Sequence, residues 1–372
     1  MLYLDNSATT QVHSDVYNEM LPYLSQEYGN PSSKYYSLAI NSKKAIEQSR
    51  QHVANLVNSK KMEVVFTSGA SESNNTVLKG VTEYYSEKGK HIITTKTEHK
   101  AILDVCSYLE KKRFNITYLD VDSYGRVDPE DIRKNITSET ILVSVIWGNN
   151  ELGSLNDIRS ISTICEERGV LFHSDATQVA GKLKINFDEI SGLSFLSLSA
   201  HKLHGPKGIG ALIVRSDEYG KLTPFTPLIH GGGQENDLRS GTHSVHNIVG
   251  FGKAAEIASN NLKENIISLE KLEEKLIALL TTKFKNNISF NSDNNNKIPG
   301  IVNVRFHGLN NEILLKKLSP LIAASTGSAC SSTNPSYVLL AIGLSLNEVR
   351  ESVRFSFSPY TQLKDLDIFQ DL

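Results

Sequence analysis

Over its first two-thirds the chain alternates short, β-rich apolar runs with longer stretches whose apolar residues recur at helical spacing. The short runs are Glu63–Thr67, His91–Thr95, Asn115–Leu119, Thr140–Trp147, Val170–Ser174, Phe195–Ser199 and Ile209–Val214. Amphipathic stretches such as Ser71–Lys88 and Ile158–Arg168 separate most of them. This alternation predicts an α/β fold with a mostly parallel sheet covered on both faces. The last two strands are joined by a Gly-rich loop too short for a crossover helix, so Ile209–Val214 is expected to run antiparallel.

A long helical pattern runs from about His246 to Phe284 and leads out of this first unit. Two polar, Asn-rich stretches, Lys285–Asn287 and Ser292–Lys297, read as loops. Beyond them Ile301–Phe306, Asn310–Leu318, Ile322–Ser325, Tyr337–Ile342 and Val353–Phe357 read as β-α-β-α-β, a small α+β domain.

Composition narrows the function classes. The chain has 372 residues, 39% apolar and 22% charged, as an ordinary globular protein of two domains does. A net charge of −2 gives no bulk attraction to nucleic acid. No basic-then-apolar leader and no apolar stretch of membrane-spanning length is present, so the cytoplasm is the expected location. Cys106, Cys165 and Cys330 are too widely spaced for a CxxC metal pattern or a disulfide framework, and no metal site is expected.

The chemistry gathers at predicted strand ends, where open α/β sheets place their ligands. Asp175 follows one buried strand, and Lys202 follows the next, 27 residues on. An acid and a lysine so placed, among small polar residues, are what a pyridoxal-phosphate site needs: an amine for the Schiff base and an acid for the pyridinium nitrogen. Thr67-Ser68-Gly69-Ala70-Ser71 ends a strand and opens a helix, which suits a phosphate, although an ordinary helix cap looks the same. Thr97-Glu98-His99 and Gly148-Asn149-Asn150-Glu151 follow two further strands. His99 can stack on a flat cofactor and move protons, or simply cap a helix. Cys330 lies in a loop of small residues ending at Pro335, whereas Cys106 and Cys165 lie in amphipathic patterns that predict core positions. Of the three, Cys330 is the candidate nucleophile. Arg354, inside a short β pattern, needs an anionic partner if it points inward, and a substrate carboxylate would suit its planar fork.

In this order the motifs resemble the cysteine desulfurases, a branch of the class V aminotransferases of fold type I. Tyr3–Thr10, Gly29–Ser33, Thr97–His99, Asn149–Gly153, Asp175–Gln178 and Gly327–Cys330 carry the resemblance over nearly the whole chain. It implies a large pyridoxal-phosphate domain over 15–249 with a mostly parallel seven-stranded sheet. It implies a small α+β domain, from 1–14 and 250–372, that carries the catalytic cysteine. By the same resemblance Lys202 is the Schiff-base lysine and Asp175 pairs with the pyridine nitrogen. Gln178 and Asn150 approach the ring hydroxyl, and His99 stacks on the ring and shuttles a proton. Ala70, Ser71, Ser199 and His201 hold the phosphate. Thr242 reaches the phosphate of the neighbouring subunit, which implies a homodimer with shared active sites. Arg354 and Asn150 bind the substrate carboxylate. The implied reaction converts L-cysteine to L-alanine, leaves a persulfide on Cys330 and passes the sulfur to an acceptor protein, with no direct nucleic-acid or membrane binding.

Two departures stand out. Tyr35 and Leu38 occupy places where the family usually has histidine and glycine. The stretch from Cys330 to Pro335 is shorter than in members that serve iron–sulfur assembly and tRNA thiolation. A shorter segment has less reach and points to a dedicated acceptor, such as one supplying DNA phosphorothioate modification. An aminotransferase of the same fold would not need Cys330. A selenocysteine lyase is the closer alternative, and a non-catalytic scaffold would not need Lys202 and Cys330 together.

Overall fold

The computed structural model describes residues 1–327 and 334–370. Its strands, in chain order, begin with β1 (Leu2–Tyr3), β2 (Val64–Thr67), β3 (His91–Thr95), β4 (Asn115–Leu119), β5 (Thr140–Ser144), β6 (Leu171–Asp175), β7 (Phe195–Ser199) and β8 (Gly210–Val214). The last seven of these form one sheet in the order β2-β8-β7-β6-β5-β3-β4. All neighbours are parallel except β8, which is antiparallel to both β2 and β7, as its short connection requires. Strands β2, β3, β5, β7 and β8 are buried along their whole length, which explains their unbroken apolar or small-residue runs. The predicted strand Thr140–Trp147 stops at Ser144, after which the chain leaves the sheet toward Asn149.

The direction in which strands are added reverses between β3 and β5. That is the switch point at which a doubly wound sheet opens a crevice beyond its strand ends. The segments that follow these two strands carry His99 and Asn150.

The 21-residue helix Ser37–Val57 has no counterpart in the sequence reading. Its buried face mixes Ala39, Ala45, Ile46, Val53 and Val57 with Ser42 and Ser49, so the apolar stripe is blurred. The helical pattern from His246 to Phe284 is two helices, Val245–Asn260 and Leu262–Phe284, broken at Asn261. Phe251, Ala254, Ala255 and Ala258 pack in the core under the large sheet. A second core begins with Leu269 and gathers Leu272, Leu276, Val302, Val304, Val353, Phe355 and, from the chain start, Leu4.

The small domain holds β9 (Ile288–Phe290), β10 (Ile301–Phe306), β11 (Ile322–Ala323) and β12 (Ser352–Ser356). Between the two Asn-rich stretches lies β9, three residues long and only partly buried, which pairs with β10; the sequence reading had no strand there. The antiparallel sheet is β12-β10-β9, and β11 pairs instead with β1. The chain start therefore pairs and packs with the C-terminal part of the chain.

Candidate active site

Residues from both domains line a cavity of about 420 Å³ at the carboxyl ends of the large-sheet strands. It includes His99, Asn150, Asp175, Gln178, Lys202 and Arg354, and also Ala70, Ser71, Ser199 and His201. Ten predicted site residues are thus brought together from six separate stretches of chain. Thr242 is exposed and does not line the cavity. Cys330 lies outside the described residues. Cys106 and Cys165 are buried, and burial pushes each thiol up to about 12, as befits core positions.

Asp175 ends β6 and is 4% exposed. Its carboxylate accepts from the Asn74 amide at 2.8 Å and from the Thr177 backbone N–H at 3.0 Å. These bonds fix the plane of the carboxylate without using all its acceptor sites. Below it His173 bridges Ser144 and Ser197 at 2.9 Å each, and burial lowers its imidazole to about 4, so the ring is neutral.

Lys202 closes the short turn Ala200–Lys202 after β7. Its amine donates to the carbonyls of Ser7 at 2.6 Å and Ala8 at 2.7 Å. Both belong to the chain start that the small domain anchors. His201 approaches Thr9 Oγ1 at 3.2 Å, and burial with the nearby Lys202 and Lys207 charges lowers it to about 4.

Gly69 precedes the helix Ala70–Tyr84 with φ +149°, and no side chain caps that helix. Its first amides are therefore available to an anion, with the helix dipole aligned behind them. His99 caps the helix Lys100–Lys111: its Nδ1 accepts from the Ala101 N–H at 3.1 Å, which places the ring proton on Nε2. Of the two sequence alternatives for this residue the helix cap is seen, and the residue also lines the cavity.

Arg354 is 1% exposed and already holds protein partners. It donates to Asp5 at 2.6 Å, to the Asn150 carbonyl at 2.8 Å and to the Gly327 carbonyl at 3.1 Å. Its Nε is buried with no acceptor among the described residues. Glu151, named in sequence only as part of a motif, joins the two domains. Its Oε2 accepts from Ser336 Oγ at 2.5 Å, and a Cβ placed on Gly327 would lie 2.5 Å from the same oxygen. Burial raises this carboxyl, against the pull of Ser336, Arg354 and His99. Tyr337, which also lines the cavity, donates its hydroxyl to the Glu98 carbonyl at 2.7 Å. Glu151, Asp5, Asn74 and Tyr337 had no sequence signal of their own, because each acts through a partner far away in the chain.

A sequence model of the class V aminotransferases matches residues 2–369, and the chain belongs to that family, whose enzymes depend on pyridoxal phosphate. Within it, the chain is 42% identical over 374 residues to the cysteine desulfurase IscS of Dictyoglomus turgidum, covering all of this chain and 93% of that protein. Its fold superposes on a solved NifS-like protein with a TM-score of 0.92 at 34% identity, covering 100% and 97% of the two chains. A structure described as SspA in complex with cysteine gives 0.84 at 36% identity, covering 97% and 100%.

The residues fit the family cofactor. Ser7 Oγ, Thr177 Oγ1 and Arg354 Nε are buried polar atoms without a hydrogen-bond partner among the described residues, and all three residues line the cavity. A volume of about 420 Å³ suits a ligand of that size.

Proposed function

We propose that the protein takes sulfur from L-cysteine onto Cys330 and releases L-alanine, as a cysteine desulfurase. The observation that carries this reading is the meeting of Lys202, Asp175 and Arg354 in one cavity, with Arg354 also holding Gly327. Cys330 follows Gly327 by three residues.

Bound here, pyridoxal phosphate would supply an electron sink for the carbon skeleton of the substrate. Ala70, Ser71, Ser199 and His201 would hold its phosphate, Asp175 its ring nitrogen, and Gln178 and Asn150 its hydroxyl side. The Lys202 amine would attach the cofactor and then move the substrate α-proton. His99, with its proton on Nε2, would face the ring and exchange a proton with the substrate sulfur. The Arg354 Nε would receive the substrate carboxylate. The carbon–sulfur bond of cysteine breaks, a sulfur–sulfur bond forms on Cys330, and the displaced carbon takes a proton to become alanine.

The acceptor is read as a dedicated protein, because the Cys330 segment is short. Iron–sulfur assembly, tRNA thiolation and DNA phosphorothioate modification are the candidate destinations. Two copies would complete each site, with Thr242 of one chain at the cavity of the other; its exposure off its own cavity supports that reading. Among the described residues no helix is long and apolar enough to cross a membrane, which supports a cytoplasmic protein.

The decisive variant is Cys330→Ser. It should keep the visible cofactor band and lose both alanine formation and persulfide, read by mass spectrometry of the alkylated protein. Undiminished turnover would overturn the reading. Equal turnover of selenocysteine by wild type and Cys330→Ser would favour the lyase instead.

A further inference from the structure

Lys182 lies seven residues beyond Asp175, in the turns that follow β6. It is 9% exposed, and no carboxylate among the described residues pairs with it. Burying an amine without a counter-ion is costly, and an apolar residue could fill the same volume. The groups around it offer no acid. Lys202, His204 and His13 line the small cavity it shares, and Arg354 acts on it from farther off. Burial, with the Lys202 and Arg354 charges, lowers the amine to about 7.

Its bonding is specific. The Lys182 amine donates to Gln178 Oε1 at 3.0 Å. The other end of that amide, Nε2, donates to the Ser7 carbonyl at 2.9 Å. The same carbonyl accepts from the Lys202 amine at 2.6 Å. A chain of N–H···O bonds therefore joins the two lysines through Gln178 and Ser7. An amide has a donor end and an acceptor end, and a carbonyl can only accept. Ser7 therefore demands the NH₂ end of Gln178, and Lys182 satisfies the oxygen left behind it. Without Lys182 that oxygen would be buried with no donor, and the amide would gain by turning over.

We propose that Lys182 is a positioning residue: it locks the Gln178 amide with its NH₂ group on the Ser7 side and so holds the carbonyl that seats the Lys202 amine. Lys182 touches neither substrate nor cofactor in this role; it works from beneath the cavity floor. The proposal rests on the cavity being a pyridoxal-phosphate site.

The test compares Lys182→Met, Lys182→Arg and Gln178→Met, with the double variant Lys182→Met/Gln178→Met. The readouts are the dissociation constant of apo-protein for pyridoxal phosphate and the pH midpoint of the visible band of the holoprotein. Lys182→Met should weaken cofactor binding by about tenfold, the worth of one such hydrogen bond. It should also shift the band midpoint upward, because a positive neighbour of Lys202 is gone. Lys182→Arg, which keeps the donor, should recover most of both. In the Gln178→Met background Lys182→Met should have no further effect on cofactor affinity. If Lys182→Met does not fold, Lys182→Gln replaces it with the same expectations at reduced size. Unchanged affinity and midpoint in the folded variant, whatever its thermal stability, would overturn the role of Lys182, as would a full affinity loss in the Gln178→Met background. Failure of wild-type apo-protein to bind pyridoxal phosphate would instead bring down the reading of the cavity.

Discussion

The floor of the cavity is built from strand ends, and its rim from a meeting of two domains. On the floor, Asp175 and His173 sit on β6, and their partners Asn74, Thr177, Ser144 and Ser197 come from the large domain. At the rim, Ser336 reaches Glu151, Tyr337 reaches the Glu98 carbonyl and Arg354 reaches the Asn150 carbonyl, each bond crossing from the small domain to the large one. The floor is fixed once the sheet has formed, because buried strands leave its polar groups no other arrangement. The rim depends on how two separately packed cores are set against each other. A general cofactor chemistry can therefore be carried by the floor while the choice of reaction is left to the rim.

Removing the Lys202 amine, which sits between floor and chain start, should have the largest effect. Lys202→Ala should abolish turnover and lose the covalently attached cofactor, seen as loss of the visible band after gel filtration. A rim change should separate the two properties. Gly327 has φ +107° and no room for a Cβ beside Glu151. Gly327→Ala should lower kcat by roughly tenfold to a hundredfold, as a displaced reacting group does, while the cofactor binds as before. A parallel loss of cofactor affinity would erase the distinction between floor and rim.

A milder rim change is Ser336→Ala, which leaves the buried Glu151 oxygen short of its donor. The cost should be about 1–3 kcal/mol of stability, measured by denaturant unfolding, with the visible band unmoved.

The smallest expected effect lies where floor and rim touch. Glu98 accepts from the Ile146 N–H at 2.9 Å and Thr95 Oγ1 at 2.7 Å, and burial raises its carboxyl to about 8. The folded protein thus keeps a proton that the unfolded chain releases above its ordinary value of 4.5. Stability from this group is full below that value and declines as pH rises toward about 8. Glu98→Gln, which imitates the protonated acid, should gain a few degrees of Tm over wild type between pH 5 and pH 8, and the gap should widen with pH. A gap independent of pH would mean that Glu98 is ionised in the fold.

How far the sequence reveals this site follows the same division. Buried strands write themselves as apolar runs, so the sheet, its antiparallel β8 and the residues at its strand ends were all readable. Asp175, Lys202 and His99 follow from position alone. The rim was not readable, since periodicity does not say which distant residue will accept a bond. Arg354 was expected to await a substrate, yet Asp5, from the opposite end of the chain, already holds one side of it. Glu151 looked like one letter of a turn motif and proves to touch both flanks of the Cys330 segment. Nothing local to Lys182, next to Gly181, signals that it is buried.

The first eight residues have a consequence for protein engineering. Leu2 pairs with Ile322 and Leu4 sits in the small-domain core; Asp5 holds Arg354, and Ser7 and Ala8 hold Lys202. A chimera that grafts the small domain of a relative by exchanging only its C-terminal sequence would join mismatched halves at Lys202. Residues 2–8 have to travel with the graft.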